Sequence, residues 1–316
     1  RLTQIAALAK SAQIVPTFLE FVDIAGLVRG ASKGEGLGNK FLAHIREVDA
    51  ICHVLRCFEG GDVTHVEGSV DPVRDAETVE TELLIADLES LERRYDAAVK
   101  RARGADREAK EDVAIMEPVL AALRAGDPAR SVDMPPERQR RFQQLQLLTA
   151  KPVLYICNVE EESAATGNAL SAKVAEMAAE RGAGSLVVSA AIEAEVAQLG
   201  DDTEKREFLA DLGLEEAGLA RVIRAGYELL DLITFFTAGP KETRAWTVRN
   251  GAMAPEAAGV IHSDFQRGFI RAETIAFDDY VACGSEQAAK EAGKARQEGK
   301  DYVMRDGDVV LFRFNV

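Results

Sequence analysis

Four short apolar runs along the chain each end near a polar or glycine-containing turn, which predicts four buried β-strands. These runs cover residues 19–23, 50–58, 152–158 and 185–189. Segments with helical spacing separate them, and this alternation indicates βαβ units in a mostly parallel sheet. Ligands bind such sheets at the carboxyl ends of the strands. Asp23, Asn158 and Ser189 lie at these ends and are therefore candidates for a binding site.

A long charged insertion, residues 75–141, separates the second and third predicted strands. Two runs in it follow the alternating three- and four-residue spacing of a helix seam, which predicts a helical hairpin with a coiled-coil seam. The seam positions are Leu84, Leu88, Leu91, Tyr95, Ala98, Val113, Met116, Leu120 and Leu123. Basic residues cluster toward the predicted tip and suit contact with RNA phosphates, although a solvated coiled coil is the simpler interpretation. They are Arg93, Arg94, Lys100, Arg101, Arg103, Arg107 and Lys110.

We interpret residues 219–233 as a connecting helix, and the pattern of apolar and polar residues changes after it. Residues 234–316 contain short strand-like runs and one helical run, residues 285–298, and we predict a separate small α+β domain. The predicted strands are residues 245–248, 269–275, 279–281 and 309–314.

The composition fits a globular protein of about two domains. The chain has 316 residues, of which 47% are hydrophobic and 29% charged. Its apolar runs are much shorter than the ~20 residues that span a bilayer, so we expect no membrane association. Four cysteines without a CxxC pair argue against a disulfide scaffold or zinc site and fit a cytoplasmic protein. The net charge of −15 argues against nucleic-acid coating by charge alone.

The segment that ends at Gly26 reads Phe-Val-Asp-Ile-Ala-Gly. A strand that ends in Asp-x-x-Gly matches the metal-side motif of P-loop GTPases. There the carboxylate, here Asp23, holds the hydration shell of Mg²⁺, and the glycine N–H approaches the γ-phosphate. The same four residues also describe many ordinary turns, so the motif is weak by itself.

Five glycines within 13 residues follow, and this density predicts a mobile loop over residues 26–40. They are Gly26, Gly30, Gly34, Gly36 and Gly38. The spacing is not that of a Walker A loop or a dinucleotide fingerprint. A switch segment that rearranges around a γ-phosphate fits the position after Asp23, and a plain surface loop is the alternative.

The third predicted strand ends in Asn158-Val159-Glu160-Glu161, where GTPases have Asn-Lys-x-Asp. The GTPase Asp accepts both guanine N–H groups, but Glu161 is one methylene longer and Val159 offers only a surface to pack on a base. Guanine preference is therefore doubtful, and an exposed acidic turn is the alternative. Ser189-Ala190-Ala191 after the fourth strand resembles the Ser-Ala-Lys loop whose backbone contacts the base.

Together these segments resemble the Obg-like ATPase (YchF) family of P-loop NTPases. The resemblance rests on residues 21–40, 158–161, 189–191, 219–227, 244–247, 264–273 and 314–316. It implies a Ras-like α/β nucleotide-binding domain with an inserted coiled coil and a carboxyl-terminal TGS domain of ubiquitin-like fold. It also implies Mg²⁺-dependent ATP hydrolysis, a preference for ATP over GTP, and association with ribosomes or ribosomal RNA.

The resemblance places the family's P-loop upstream of Arg1, outside the printed sequence. The backbone N–H groups of that loop bind the phosphates, its Lys neutralises phosphate charge, and its Ser/Thr binds Mg²⁺. We expect about one βαβ unit, at least ~30 residues, to precede Arg1, and we expect a chain that began there to bind ATP poorly.

The water-orienting Gln of many GTPases is replaced by Leu27, which cannot hydrogen-bond water. The resemblance points instead to His65, in the loop after the second strand, as a group that helps hydrolysis, with a solvent-facing loop histidine as the alternative. We expect His53 to lie in the core and His44 to be a weaker candidate, and His262 lies in the terminal domain, far in sequence from the chemistry.

The predicted architecture is therefore a nucleotide-binding domain formed by residues 1–74 and 142–218, the hairpin 75–141, the connecting helix 219–233 and the TGS domain 234–316. We predict a slow ATPase switch that associates with ribosomes or RNA, and a monomer, because one hairpin satisfies its own seam. A GTPase of the same fold and a non-enzymatic ribosome- or protein-binding protein are the alternatives.

Overall fold

A computed structural model describes residues 1–24, 37–60, 69–104 and 106–315, with residues 37–40 described by their backbone alone. The chain forms two compact units, one of Arg1–Phe21 with Leu230–Val316 and one of Val22–Leu229. The sequence had placed residues 1–74 in a nucleotide-binding domain, but residues 1–21 pack with the carboxyl-terminal unit. The reason is a strand near the amino terminus that pairs with a strand of that unit.

The described helices are α1 (Leu2–Ala9), α2 (Leu37–Glu47), α3 (Pro72–Ala102), α4 (Arg107–Ala125), α5 (Pro136–Gln143), α6 (Ala169–Glu180), α7 (Ala190–Val196), α8 (Asp202–Asp211), α9 (Gly218–Leu229), α10 (Ala254–Ile261), α11 (Ser263–Arg267), α12 (Phe277–Cys283) and α13 (Glu286–Glu291). The strands are β1 (Gln13–Val15), β2 (Ile51–Arg56), β3 (Val153–Asn158), β4 (Gly184–Val188), β5 (Leu232–Ala238), β6 (Glu242–Arg249), β7 (Phe269–Ile275), β8 (Arg296–Glu298) and β9 (Val309–Phe314). None of these helices is both long and apolar enough to cross a membrane.

The Val22–Leu229 unit contains a parallel sheet of β2, β3 and β4, in that order. This confirms three of the four predicted strands and their parallel arrangement. Five consecutive residues of β3 are buried, as expected for a central strand of a parallel sheet. The carboxyl ends of β3 and β4 therefore meet at one edge.

Residues 19–23 form no strand, contrary to the prediction. Phe21 and Val22 are about half exposed, at 49% and 52%. An apolar run becomes a strand only where a neighbouring strand pairs with it, and within the described residues none pairs here. The loop predicted over residues 26–40 is wrong at its carboxyl end, because α2 begins at Leu37 and includes Gly38. The rest of that prediction lies in residues 25–36, which are outside the described ranges.

The predicted hairpin is confirmed as α3 and α4. Each helix begins at an aspartate cap, since Asp71 accepts a hydrogen bond from Arg74 N and Asp106 accepts one from Ala109 N. All nine predicted seam residues lie in one hydrophobic cluster of buried and partly buried side chains. The pairing of α3 with α4 thus follows directly from the 3–4 spacing in the sequence.

The carboxyl-terminal unit is built on a six-stranded sheet with the order β1-β6-β5-β9-β7-β8. Helix α10 packs on one face through Ala257 and Ala258, and α1 packs on the other through Ile5. Three predictions that concern this unit are wrong. The predicted connecting helix 219–233 is too long, because α9 ends at Leu229 and β5 begins at Leu232. Residues 279–281 belong to α12, whose Tyr280 is buried beside Ile5, and the run 285–298 divides into α13 and β8. Gly293, at φ +70°, follows the end of α13 and makes the left-handed turn that ends such helices.

Candidate functional site

The carboxyl edge of the parallel sheet brings Asn158 against the turn that follows β4. The Asn158 side chain accepts a hydrogen bond from the backbone N–H of Ala190 through Oδ1, at 2.9 Å. One residue later, the Val159 N–H donates to the carbonyl of Val188, also at 2.9 Å. Asn158 and the segment Ser189-Ala190-Ala191, which the sequence predicted separately, therefore lie side by side.

Asn158 retains unused hydrogen-bonding capacity. Its Nδ2 atom has no protein partner in the described parts of the chain, so two N–H donors face away from the bond to Ala190. The Ser189 hydroxyl is buried, and no described residue bonds to it. Ser189 directly precedes α7, so the backbone N–H groups of Ala190 and Ala191 open that helix. The Ala190 N–H is already bonded to Asn158, so the Asn158 Nδ2 hydrogens are the donors with which this edge can meet a polar planar ligand.

The three consecutive glutamates after Val159, which are Glu160, Glu161 and Glu162, have different environments. The Glu160 carboxylate accepts hydrogen bonds from the Ser163 hydroxyl at 2.6 Å and from the Asn168 side-chain amide at 3.0 and 3.1 Å. These bonds, with that of Ser163 the strongest, hold the pKa of Glu160 below its ordinary value. Glu161 is exposed and has no partner within the described ranges. Glu161, like the equally exposed Glu162 beside it, is therefore a carboxylate of this turn that is available to a ligand.

Val159 does not face the site, contrary to the prediction that it packs on a base. Its side chain is only 3% exposed and belongs to the core cluster that includes Cys157. Successive residues of an extended segment point to opposite sides, so Cys157 and Val159 turn inward while Asn158 between them does not. Only the backbone of Val159 contributes to this edge.

Asp23 is exposed, and its carboxylate has no hydrogen-bond or ion-pair partner among the residues that the structure describes. A single free carboxylate suits Mg²⁺, which is commonly held by one or two carboxylates together with substrate phosphates and waters. Six other predicted residues, Gly26, Leu27, Gly30, Gly34, Gly36 and His65, lie outside the described ranges.

The remaining histidines occupy structural positions. His53 lies in β2 with its ring centroid 6.1 Å from that of Tyr155, and burial lowers its pKa. The His262 side chain caps α11 by accepting a hydrogen bond from Asp264 N. His44 is exposed on α2. The partly buried ring of His53 agrees with its predicted place in a strand, and His262 lies in the carboxyl-terminal unit as predicted, whereas the weaker candidacy of His44 stays a prediction.

The sequence reasoning missed Asn168, which caps α6 and reaches the turn that contains Glu160. A signal was present, because an Asn directly before a run with helical spacing predicts a helix cap. Its contact with residues 57 and 160 depends on the tertiary fold and leaves no local pattern.

Two family models match the chain. The model for 50S ribosome-binding GTPases matches residues 4–95. The model for the carboxyl-terminal domain of YchF GTPases, described as a protein of unknown function (DUF933), matches residues 232–315.

The relatives of this chain are similar over its whole length. The ribosome-binding ATPase YchF of Haemophilus influenzae is 56% identical over 100% of this chain and 86% of its own. The protein of the same name from Escherichia coli O157:H7 is 52% identical with the same coverage. Obg-like ATPase 1 of rice, Oryza sativa subsp. japonica, is 43% identical over 100% of this chain and 80% of its own.

A solved structure has the same fold. The YchF GTPase of Schizosaccharomyces pombe aligns with a TM-score of 0.86 and 38% sequence identity, over 99% of this chain and 84% of that one.

Proposed function

The chain belongs to the Obg-like ATPase (YchF) family, and on that premise we propose that it binds and slowly hydrolyses ATP and associates with ribosomes. The nucleotide base would bind at the Asn158 edge of the parallel sheet. The relatives' names supply the ATPase activity and the ribosome as partner.

The observation that carries the proposal is the hydrogen bond between Asn158 Oδ1 and Ala190 N. It joins the ends of two adjacent parallel strands, where ligands of such sheets bind, and leaves the Asn158 Nδ2 donors for the ligand. Glu161 adds an exposed acceptor for an exocyclic amino group, and the buried hydroxyl of Ser189 lies at the same edge. Glu161 is one methylene longer than the Asp that GTPases place here, which agrees with the preference for ATP over GTP that the family resemblance implies.

The catalytic roles follow the family resemblance. Asp23 would hold the hydration shell of Mg²⁺, which neutralises phosphate charge when bound. Gly26 would approach the γ-phosphate through its N–H, and Ser189, Ala190 and Ala191 would line the base pocket. His65 would help hydrolysis where Leu27 cannot orient water, and Gly30, Gly34, Gly36 and Gly38 would belong to the switch segment.

The proposed setting is the cytoplasm, where ribosomes are found, with the protein acting as a monomer. The hairpin of α3 and α4 satisfies its own seam, which supports a monomer. Part of the basic tip is neutralised locally, because Arg101 pairs with Asp112 and Arg107 with Glu111. Other tip residues, such as Lys100 and Arg103, are exposed and suit contact with ribosomal RNA.

Replacement of the bridging side chain tests the proposal. Asn158→Ala removes both the bond to Ala190 and the free donors, and we expect ATP binding by the full-length protein to weaken about tenfold or more, a loss of about 1.4 kcal/mol. Isothermal titration calorimetry would measure this. Asn250→Ala, at an exposed turn of the carboxyl-terminal unit, is the matched control and should bind ATP as the unmodified protein does. Equal ATP affinity of both variants would contradict the proposed site.

GTP is the second candidate substrate, because the matching family model and the S. pombe structure are both named for GTPases. The same fold and the same edge would then bind guanine. A comparison of the ATP and GTP affinities of the full-length protein separates the two.

A further inference from the structure

Asn168 connects three elements around the proposed base site. Its Oδ1 accepts hydrogen bonds from the N–H groups of Leu170 and Ser171, which caps α6. Its Nδ2 donates to the Cys57 carbonyl at 2.6 Å, just after β2, and to both oxygens of the Glu160 carboxylate. One side chain therefore links the end of β2, the turn after β3 and the start of α6.

Helix capping alone does not explain an asparagine at this position. Aspartate caps helices about as well as asparagine. A carboxylate, however, has no N–H groups, and it could donate neither to Cys57 O nor to Glu160. The two donated bonds are thus what the amide provides beyond a cap.

The hydrogen bonds that Asn168 donates also affect which glutamate of the turn can reach the ligand. Glu160 lies between Asn158 and Glu161 in the proposed base-binding turn, and its carboxylate is held by Asn168 and Ser163. The backbone of the turn is also fixed, because Cys57 N donates to Asn158 O at 2.8 Å. With Glu160 held in this way, the exposed carboxylates of the turn are Glu161 and Glu162, and Glu161 is the one at the position where GTPases have Asp.

We propose that Asn168 is a positioning residue for nucleotide recognition. By holding the Glu160 carboxylate and the Cys57 carbonyl, it sets the conformation in which Asn158 and Glu161 face the base. Asn168 itself need not touch the nucleotide. The inference rests on the proposed function, since it assumes that ATP binds at this edge.

Asn168→Asp tests the proposal because it keeps the helix cap, removes the N–H donors and places a negative charge where they were. Hydrogen bonds keep the pKa of Glu160 low, so this residue is ionised at neutral pH and the new carboxylate would face a second one. We expect ATP affinity, measured by calorimetry on the full-length protein, to fall about tenfold or more, and the ratio of ATP to GTP affinity to change with it. Asn250→Asp introduces the same charge at an exposed turn and should leave both affinities unchanged.

A complementary substitution distinguishes positioning from a general structural role. Adding Glu160→Gln to Asn168→Asp restores a donor–acceptor pair, because the Gln amide donates to the new carboxylate. We expect the double variant to recover most of the ATP affinity and the ATP-to-GTP ratio. Should Asn168→Asp fail to fold, Ser163→Ala removes the other side-chain bond to Glu160, and it should weaken ATP binding in the same direction.

Three results would overturn the inference. The first is an ATP affinity that is unchanged in Asn168→Asp. The second is a loss of ATP affinity in Asn168→Asp that the added Glu160→Gln does not restore. The third applies if Asn168→Asp does not fold, and it is an ATP affinity that is unchanged in Ser163→Ala. In each case the unmodified protein binds ATP, which leaves the proposed function intact. If the unmodified protein bound no nucleotide at all, the proposed function would fail together with the inference.

Discussion

Neighbouring residues of one motif have opposite surroundings in this protein. Asn158 presents its amide to the turn after β4, whereas Val159 is buried in the core. Glu160 is held by hydrogen bonds, whereas Glu161 is exposed. A sequence motif therefore identifies a site more reliably than it identifies which of its side chains face the ligand.

Asp87 on α3 is a buried carboxylate with a structural role. It is 1% exposed and accepts hydrogen bonds from Leu148 N, Thr149 N and the Thr149 hydroxyl at 2.7–2.9 Å. Burial raises its pKa, although these bonds act in the opposite direction. Asp87 thereby anchors the segment that leads into β3 and the Asn158 edge.

We predict that Asp87→Asn lowers the free energy of unfolding by about 1–3 kcal/mol, because the amide N–H₂ would face a donor and leave it unsatisfied. Urea denaturation measures the change. Asp133→Asn is the matched control, since Asp133 is exposed and unpaired within the described ranges, and its effect should stay within about 0.5 kcal/mol. Equal effects of the two substitutions would show that Asp87 anchors nothing.

At the scale of elements, the helical hairpin owes its stability to its apolar seam. Leu120 is 2% exposed within the cluster that α3 and α4 share. Leu120→Ala should therefore lower the free energy of unfolding by about 2–5 kcal/mol. Leu219→Ala is the control, because this leucine on α9 is 58% exposed, and a loss there as large as at Leu120 would contradict the account.

The sequence predicts an element well where local spacing alone specifies it. The hairpin seam and strands β2, β3 and β4 were all predicted, because each has a strong local pattern. Residues 19–23 carry an equally apolar pattern but form no strand, since a strand also needs a partner. The strand predicted at residues 279–281 was wrong because a three-residue run does not distinguish a strand from one turn of a buried helix.

The candidate site was predicted in outline for a related reason. Parallel topology places strand ends together, so Asn158 and Ser189 could be grouped from the sequence alone. The contacts of Asn168 with Cys57 and Glu160 could not, because they join segments that are far apart in the chain.

At the scale of the whole molecule, the two ends of the chain form one unit. Strand β1 pairs with β6 in parallel, and Ile5 on α1 is fully buried beside Phe236 and Tyr280. No local pattern in the first 21 residues indicates this partner, so the domain boundary drawn from the sequence was wrong there. The Val22–Leu229 unit contains the parallel sheet, the hairpin and the proposed nucleotide site.

The central claim is that the Asn158 edge binds ATP in preference to GTP, and equilibrium titration of the full-length protein with each nucleotide in the presence of Mg²⁺ tests it most directly. The account predicts saturable binding of ATP, weaker binding of GTP, and ATP binding that is about tenfold or more weaker in Asn158→Ala. Tighter binding of GTP, or ATP binding that is indifferent to Asn158, would contradict it.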